Sequence, residues 1–197
     1  MKGLKSSIRR PYGVKNVHIA LLKEENGDAT VYDTPVAVKG CENFQHVPQY
    51  AESSGYSDNL QDTSLKLIKS FELSATFGEY STNIASLIAG HDITLGGKIV
   101  KSDDMQNEFA LMYEVSNSDG TTTYKVFYKT KLSSDGETNN TKGENLEFSK
   151  FPLKGKSLPL SNGVIYREFN SSEDLADGVI DEFYKSVLAP NKKILKG

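Results

Sequence analysis

The feature that most constrains the fold is an alternation of apolar and polar residues over 65–77. The odd positions are apolar except at Lys69, and the even positions are mostly polar. A period of two is typical of a β-strand with one buried face, whereas a helix repeats every 3.6 residues. Such a strand would span about 40 Å, far longer than the usual five or six residues. Strands of this length suit large barrels and assembled sheets, so the sequence predicts a mainly β chain.

Other apolar runs predict further strands. They lie at 14–22, 30–32, 36–38, 109–115, 124–128, 144–151 and 156–168. Two pairs of these runs flank turn sequences and therefore predict hairpins. The turns are Glu-Glu-Asn-Gly at 24–27 and Ser-Asn-Ser-Asp-Gly at 116–120.

Two short helices interrupt the β pattern. Ser81 or Thr82 can cap the first helix, and Gly90 offers a left-handed stop. Apolar residues repeat at helical spacing over 175–188, and a proline follows the repeat. A glycine inside a helix costs about 1 kcal/mol, so we expect the second helix to start near Gly178.

Residues 40–64 form a polar stretch that is rich in Ser, Gly and Asp and has only weak strand signal. A loop of this length is uncommon in a compact domain and usually has a function. Two interpretations are open: a surface loop without a partner, or an arm that orders on a neighbouring subunit. The candidates for inter-subunit contacts are Phe44, Tyr50, Tyr56 and Asp58.

The length of 197 residues suits one domain. Charge is unevenly distributed along the chain. Residues 1–11 carry four basic and no acidic side chains, which predicts a basic N-terminal arm over 1–12. A basic C-terminal tail over 190–197 carries three lysines, so the body between the tails has 16 basic against 26 acidic residues. Nucleic-acid binders need a basic surface, and this body has the opposite sign. Three interpretations are open: the acidic body is a solubilising surface with two basic tails, the tails dock on acidic neighbours, or acidic side chains line a surface past which DNA must slide.

No pattern typical of catalysis, cofactor binding or metal binding is present. Cys41 is the single cysteine, and His18, His46 and His91 are scattered. The sequence contains no HExxH, CxxC, GxSxG or glycine-rich phosphate loop. It also has no secretory signal and no apolar run long enough to span a membrane. We therefore expect a non-enzymatic protein without a cofactor.

Short motifs along nearly the whole chain resemble, in the same order, the major tail proteins of long, non-contractile-tailed phages of Gram-positive bacteria. The motifs are Tyr-Gly-Val-Lys-Asn-Val-His-Ile-Ala-Leu-Leu at 12–22, Tyr-Asp-Thr-Pro-Val at 32–36, Tyr-Ser-Asp-Asn at 56–59, the helix at 84–90, Phe-Ala-Leu-Met-Tyr-Glu at 109–114, Tyr-Lys-Val-Phe-Tyr at 124–128 and Val-Ile-Asp-Glu-Phe-Tyr-Lys-Ser-Val at 179–187. Each motif is short, and the resemblance rests on their ordered sum.

The resemblance implies a β-sandwich or half-barrel subunit that closes as a hexameric ring with a large inner β-barrel. Stacked rings would form a tail tube through which DNA passes to the host cell without specific binding. The implied partners are further copies of the chain and the tape-measure, terminator and distal tail proteins at the tube ends. The implied location is the virion, after synthesis in the host cytoplasm.

One face of the long strand would line the lumen of such a tube. The lumen-facing candidates are Lys66, Ser70, Glu72, Ser74 and Thr76. An acidic lumen would repel phosphate groups and let DNA pass, so we expect acidic side chains there.

Two other functions fit the sequence. The chain could form the tube of a contractile tail, a tail-like bacteriocin or a secretion apparatus, which share the ring fold. It could instead be a carbohydrate- or host-surface-binding β-sandwich, which would need an exposed aromatic platform. Tyr113, Tyr124, Tyr128 and Tyr166 lie on alternating strands, where packing in the core is the expected use.

Overall fold

A computed structural model describes residues 9–57, 60–79, 81–94, 97–134, 136, 141 and 149–196. Within these residues the chain forms strands and two α-helices, and the first five elements are strands. The elements are β1 (Pro11–Glu24), β2 (Val31–Tyr32), β3 (Val36–Ala37), β4 (Cys41–Ser57), β5 (Leu60–Phe77), α1 (Thr82–Ala89), β6 (Asp92–Thr94), β7 (Gly97–Ile99), β8 (Phe109–Asn117), β9 (Thr122–Ser134), β10 (Phe151–Ser157), β11 (Tyr166–Asn170) and α2 (Val179–Glu182).

The mainly β prediction is confirmed. One sheet has the order β2-β1-β8-β9-β10-β5-β4, and β3 adds to β1. β9 pairs with β8 on one side and, on the other, with β11 along its first half and β10 along its second half. β1 and β4 lie near opposite ends of this order, but residues of both line the same cleft. The sheet is therefore strongly curled.

The concave side of the sheet holds the first hydrophobic core. Alternating residues of β1, β5, β8, β9 and β10 point into it, and Ile88 of α1 closes one end. Its centre is the fully buried Phe127, whose ring lies 5.6 Å from that of Phe71 and 4.9 Å from that of Tyr166. The odd-numbered apolar residues over 71–77 are buried here, as the alternation predicts.

A second core lies on the opposite face of β8 and β9. The C-terminal segment packs there through Val179, Phe183 and Leu188. The predicted helix over 175–188 is wrong in length, because only α2 is helical and it begins directly after Gly178, whose φ is +80°. The apolar spacing of this segment reflects packing of irregular chain on a sheet face, not a long helix.

The first predicted helix is confirmed as α1. The Ser81 side chain caps it by accepting a hydrogen bond from the Ile84 backbone amide, and Gly90 ends it at φ +77°. A side chain at Gly90 would also collide with the Met105 carbonyl oxygen, which lies 1.9 Å from the position of an added Cβ. The chain between α1 and β8 is therefore held close to the end of the helix.

Both predicted hairpins are present, as β1–β2 and β8–β9. The predicted strand over 156–168 is instead the end of β10 and the start of β11, with a turn between them. Most of the predicted strand over 144–151 lies outside the described residues. No helix of the described residues has the length and apolar character needed to span a lipid bilayer.

The prediction of a long loop over 40–64 is wrong. Cys41–Ser57 forms β4, which pairs with β5 along its length, so this stretch belongs to a long hairpin. The residues that favour a loop, Ser, Gly and Pro48, are tolerated because β4 lies at the edge of the sheet that the described strands form.

The two charged tails meet the body of the same chain where they are described. Arg9 pairs with Asp119 at 3.2 Å, and Lys196 pairs with Asp177 at 2.9 Å. The C-terminal tail is also anchored by the buried Ile194. Residues 1–8 of the predicted arm lie outside the described residues.

Candidate assembly surface

The β4–β5 hairpin extends beyond the rest of the sheet. β10 pairs with β5 only from Phe71 to Phe77. Among the residues that the structure describes, 60–70 of β5 therefore pair only with β4. We call the part made of 50–57 and 60–70 the projecting hairpin. An isolated two-stranded hairpin is marginally stable in water, so this part is a candidate for burial against another surface.

A β-bulge at Lys69 sets the orientation of the projecting hairpin. Tyr50 pairs with Ile68 and Gln49 pairs with Ser70, so Lys69 is an extra residue without a partner. The bulge shifts the alternation by one position, because two residues of the bulged strand oppose one residue of its partner. Lys69, the one odd-numbered residue of 65–77 that is not apolar, thus marks the position at which the odd-numbered side chains change from one face of the hairpin to the other.

Two faces of the projecting hairpin result from this shift. Tyr50, Ile68, Lys66 and Glu52 share one face, on which the Lys66 ammonium lies 4.4 Å from the centre of the Tyr50 ring and 2.6 Å from a Glu52 carboxylate oxygen. Leu67 lies on the opposite face with Ala51, which it pairs with directly, and Leu65 follows two residues along. Both faces carry large apolar side chains.

The apolar side chains of the projecting hairpin are exposed. Leu67 is 57% exposed and Leu65 is 53% exposed, and Tyr50 and Ile68 are exposed to nearly the same degree. Exposed apolar groups that lie side by side mark interaction surfaces in soluble proteins, and each face of the projecting hairpin carries two of them. Complete burial of a fully exposed leucine side chain contributes about 1.5–3 kcal/mol, so burial of the half-exposed Leu65 and Leu67 would contribute about half of that each.

The four predicted inter-subunit residues of the 40–64 stretch have different environments. Phe44 packs inward, with its ring 4.4 Å from that of Tyr113. Tyr50 is exposed on the projecting hairpin. The side chain of Tyr56 and the whole of Asp58 lie outside the described residues. Phe44 is therefore corrected to a residue of this chain's own core, and Tyr50 stays a candidate.

The five predicted lumen-facing residues do not share one face. Glu72, Ser74 and Thr76 lie on the convex face of β5, opposite the buried odd-numbered residues. Lys66 points to the other side, because the bulge at Lys69 intervenes. Ser70 is only 5% exposed and cannot line a channel in this conformation. The candidates on one surface are thus reduced to three.

The convex face around these three residues is not acidic. In cross-strand register, Lys156 lies between Lys131 and Glu72, and Lys154 lies beside Ser74. Lys131 pairs with Glu108 at 3.2 Å, and Lys156 lies 3.9 Å from Glu72. Lysines of β9 and β10 offset the glutamates, so this face has mixed charge and gives the expected acidic lumen no support.

A cleft with a volume of about 550 Å³ opens between β1 and β4. Its aromatic lining comes from Tyr12, Phe44, His46 and Tyr113, and its charged lining includes Lys125 and Glu168. Lys125 and Glu168 pair with each other at 3.1 Å. Tyr12 is 63% exposed at the rim, but no second exposed tyrosine lies beside it among the described lining residues.

His46 connects the long hairpin to the first core. Its ring lies 5.5 Å from that of Phe127, and its Nδ1 lies 3.2 Å from the Tyr113 hydroxyl. Burial lowers the pKa of His46, and the nearby Lys125 ammonium lowers it further, while Glu168 opposes the shift. The neutral imidazole is therefore the form that fits this site.

We expect the folded chain to lose stability as the pH falls below about 6.5, in part through His46. The unfolded chain takes up the proton at the ordinary histidine pKa, whereas the folded chain resists it, so protonation favours unfolding. Urea unfolding of wild type and His46→Gln at pH 7.5 and pH 5 measures this loss. The variant should lose less than the wild type. An equal loss in both proteins would contradict this role of His46.

The titratable groups elsewhere suit structural roles. His91 Nδ1 lies 2.6 Å from an Asp104 carboxylate oxygen, which also accepts a hydrogen bond from the Lys101 backbone amide. These bonds lower the pKa of Asp104. Burial raises the pKa of Cys41 to about 11, so its thiol is not activated. In the described ranges no group of three or more His, Cys, Asp or Glu side chains could hold a metal ion.

Tyrosine packing follows the sequence-based expectation for most positions. Tyr113, Tyr124 and Tyr128 are buried, and Tyr166 is half-buried. The exposed tyrosines, Tyr12 and Tyr50, lie on different elements. The described surface therefore lacks the extended aromatic platform that a carbohydrate-binding module would use.

Two apolar features of the surface were not predicted from the sequence. The alternation placed Leu65 and Leu67 in the core, because it was carried through Lys69. The sequence also gave no role to the segment between α1 and β8, where Val100 is 61% and Met105 79% exposed. Lys69, a charged residue at an apolar position of the repeat, was the signal that Leu65 and Leu67 lie on a different face. For Val100 and Met105 the signal was the presence of large apolar residues in a short, otherwise polar segment.

Comparisons with known proteins do not identify a family for this chain. No protein-family model matches the chain, and no curated protein matches it.

Proposed function

We propose that the chain is a structural protein that assembles with copies of itself into hexameric rings, which stack as the tube of a phage tail. The observation that carries the proposal is the projecting hairpin, which presents exposed apolar groups on both faces beyond the supported part of the sheet. Such a hairpin is an incomplete structure in the single chain. A neighbouring copy would supply the missing contacts.

The free edge of β4 supports the same proposal. β4 is the last strand in the sheet order, and its 17 residues leave a long row of backbone hydrogen-bonding groups on the outer side. Native proteins cover or block such edges, because they otherwise pair with other chains. Pairing around a ring removes the edge altogether, and this is how a subunit sheet becomes part of a large barrel.

The convex face suits contact with DNA that must slide past. Its lysines and glutamates are paired across strands, and serine and threonine side chains lie between them. A surface of mixed sign has little net potential, so phosphate groups would be neither trapped nor strongly repelled. The tape-measure, terminator and distal tail proteins would then contact the two ends of the tube.

The test is the assembly state of the purified chain. Sedimentation velocity over rising protein concentration should show large particles, and negative-stain microscopy should show rings or tubes with a central channel. A chain that stays monomeric at the highest attainable concentration would contradict the proposal. A monomer that binds cell walls or glycans would favour the host-surface-binding alternative instead.

A further inference from the structure

The dipeptide Asn-Gly occurs twice in the chain, at 26–27 and at 162–163. Asparagine is a thermolabile residue, and a following glycine favours its reaction because no Cβ shields the next backbone nitrogen. The first dipeptide lies between β1 and β2 and the second between β10 and β11, and both asparagines are exposed. The two sites differ in the hydrogen bonds that the reacting groups make.

The reaction is an intramolecular displacement followed by hydrolysis. The glycine nitrogen gives up its proton to a solvent base and attacks Cγ of the asparagine side chain. A bond forms between that nitrogen and Cγ, the bond from Cγ to Nδ2 breaks, and Nδ2 leaves with a proton as ammonia. Water then opens the five-membered ring at either carbonyl, which gives aspartate or an isoaspartate whose main chain runs through the side chain. The reaction therefore requires the glycine nitrogen and Cγ to come into contact.

Asn162 is held by hydrogen bonds on both polar atoms of its side-chain amide. Its Nδ2 donates to an Asp28 carboxylate oxygen at 2.5 Å, and its Oδ1 accepts from the Val164 backbone amide at 3.1 Å. The Gly163 nitrogen, which would be the nucleophile, donates to the Leu160 carbonyl oxygen at 2.8 Å. Three hydrogen bonds thus hold the reacting groups of this site in a different geometry.

The reacting groups of Asn26 are less restrained. The Asn26 side chain makes no hydrogen bond with another described residue and does not cap the short helical turn that follows it. The Gly27 nitrogen donates to the Ser161 hydroxyl at 3.1 Å. A further bond, from the Ala29 amide to the Asn26 carbonyl oxygen, involves none of the atoms whose bonds form or break. One hydrogen bond therefore opposes the reaction at Asn26, against three at Asn162.

We propose that Asn26 is a site of spontaneous deamidation in the folded chain, and that the fold protects Asn162 from the same reaction. The two additional hydrogen bonds at Asn162 correspond to a rate about tenfold lower or less. This inference concerns the single folded chain and does not depend on the proposed assembly.

Deamidation would weaken the turn that contains Asn26. The product adds a negative charge to a turn that already carries Glu25 and Asp28. The Asp28 carboxylate holds this turn to two distant parts of the chain, because it accepts hydrogen bonds from the side chains of Asn162 and Asn191, each at 2.5 Å. An isoaspartate also lengthens the main chain of the turn by one carbon atom. The deamidated chain should therefore unfold at a lower urea concentration than the unmodified chain.

The test compares the two sites within one protein. The wild-type chain is incubated in mildly alkaline buffer, and peptide mapping by mass spectrometry follows the aspartate and isoaspartate products at each site. Deamidation at Asn26 should be at least about tenfold faster than at Asn162 in the folded chain. In urea that unfolds the chain, the two rates should become similar, since only the shared Asn-Gly dipeptide remains. Reaction at Asn162 as fast as at Asn26 in the folded chain would overturn the proposal.

A matched pair of variants checks the assignment on the intact protein. Asn26→Gln should abolish most of the more acidic form that anion-exchange chromatography separates after incubation, because glutamine would have to form a larger ring. Asn162→Gln, the control, should leave that form in place. An acidic form that persists in Asn26→Gln and disappears in Asn162→Gln would contradict the assignment. Equal urea midpoints for the separated acidic form and the unmodified chain would overturn the inferred weakening of the turn.

Discussion

The Leu65→Glu/Leu67→Glu variant is expected to lose assembly while the single chain stays folded. Both leucines are exposed in the single chain, so the free energy of unfolding should change by less than about 0.5 kcal/mol. Full burial of an exposed leucine is worth about 1.5–3 kcal/mol, so these half-exposed side chains would gain about half of that each, and a glutamate there would also be desolvated. The critical concentration for assembly should therefore rise by about a hundredfold. Sedimentation velocity and negative-stain microscopy measure the change.

The control for this variant is Ile180→Glu/Leu195→Glu, which adds the same number of charges at exposed apolar positions outside the projecting hairpin and should assemble as the wild type does. A second control, Lys66→Ala, removes a surface ion pair with Glu52 that is worth little and should have a small effect. Normal tubes from the Leu65→Glu/Leu67→Glu variant would show that the projecting hairpin is not a contact surface.

The Phe127→Ala variant should have the largest effect on stability. Phe127 is fully buried among the rings of Phe71, Tyr113, Tyr166 and His46, and its removal leaves a cavity between the two halves of the curled sheet. Removal of a buried phenylalanine side chain costs about 3–5 kcal/mol. That is a large part of the total stability of a domain, which is about 5–15 kcal/mol. Urea unfolding at neutral pH measures the loss.

Two controls identify the cause of that loss. Phe127→Leu keeps much of the volume and should cost less than half as much as the alanine. Tyr12→Ala removes an aromatic ring that is mostly exposed and should change the unfolding free energy by less than about 0.5 kcal/mol. A Phe127→Ala variant that loses less than about 1 kcal/mol would contradict this description of the core.

The parts of the fold that were predictable from sequence are those specified by local chemistry. The alternation over 71–77 identifies the buried face of β5, since side chains on a strand point alternately to the two sides. Turn residues identify the β8–β9 hairpin, and Ser81 with Gly90 bounds α1. In each case neighbouring residues in the chain carry the whole signal.

The parts that were not predictable depend on residues distant in the chain. β4 has a polar composition, and it forms a strand because β5 lies beside it. Its alternation of Phe44, His46, Pro48 and Tyr50 was a usable signal, but the glycine and serine content of 53–57 obscured it. The C-terminal apolar repeat fits a helix equally well by spacing, and only the presence of a sheet face decides against one.

The candidate surface was predictable only in outline. The length of the alternating run predicted an assembled sheet, which stays a prediction, and the 40–64 stretch was singled out as a loop although it forms strands. The identity of the exposed groups was not predictable, because the bulge at Lys69 moves Leu65 and Leu67 to the other face. The exposure of Val100 and Met105 was not predictable, because it depends on how the segment between α1 and β8 lies on the rest of the chain.

A cryo-electron microscopy reconstruction of the assembled particle tests the central claim most directly. We expect a ring of six copies around an open channel, with the projecting hairpin of each copy buried against another copy and Leu67 out of contact with solvent. A particle in which the hairpins extend into solvent, or a protein that yields only single chains at every concentration, would contradict it.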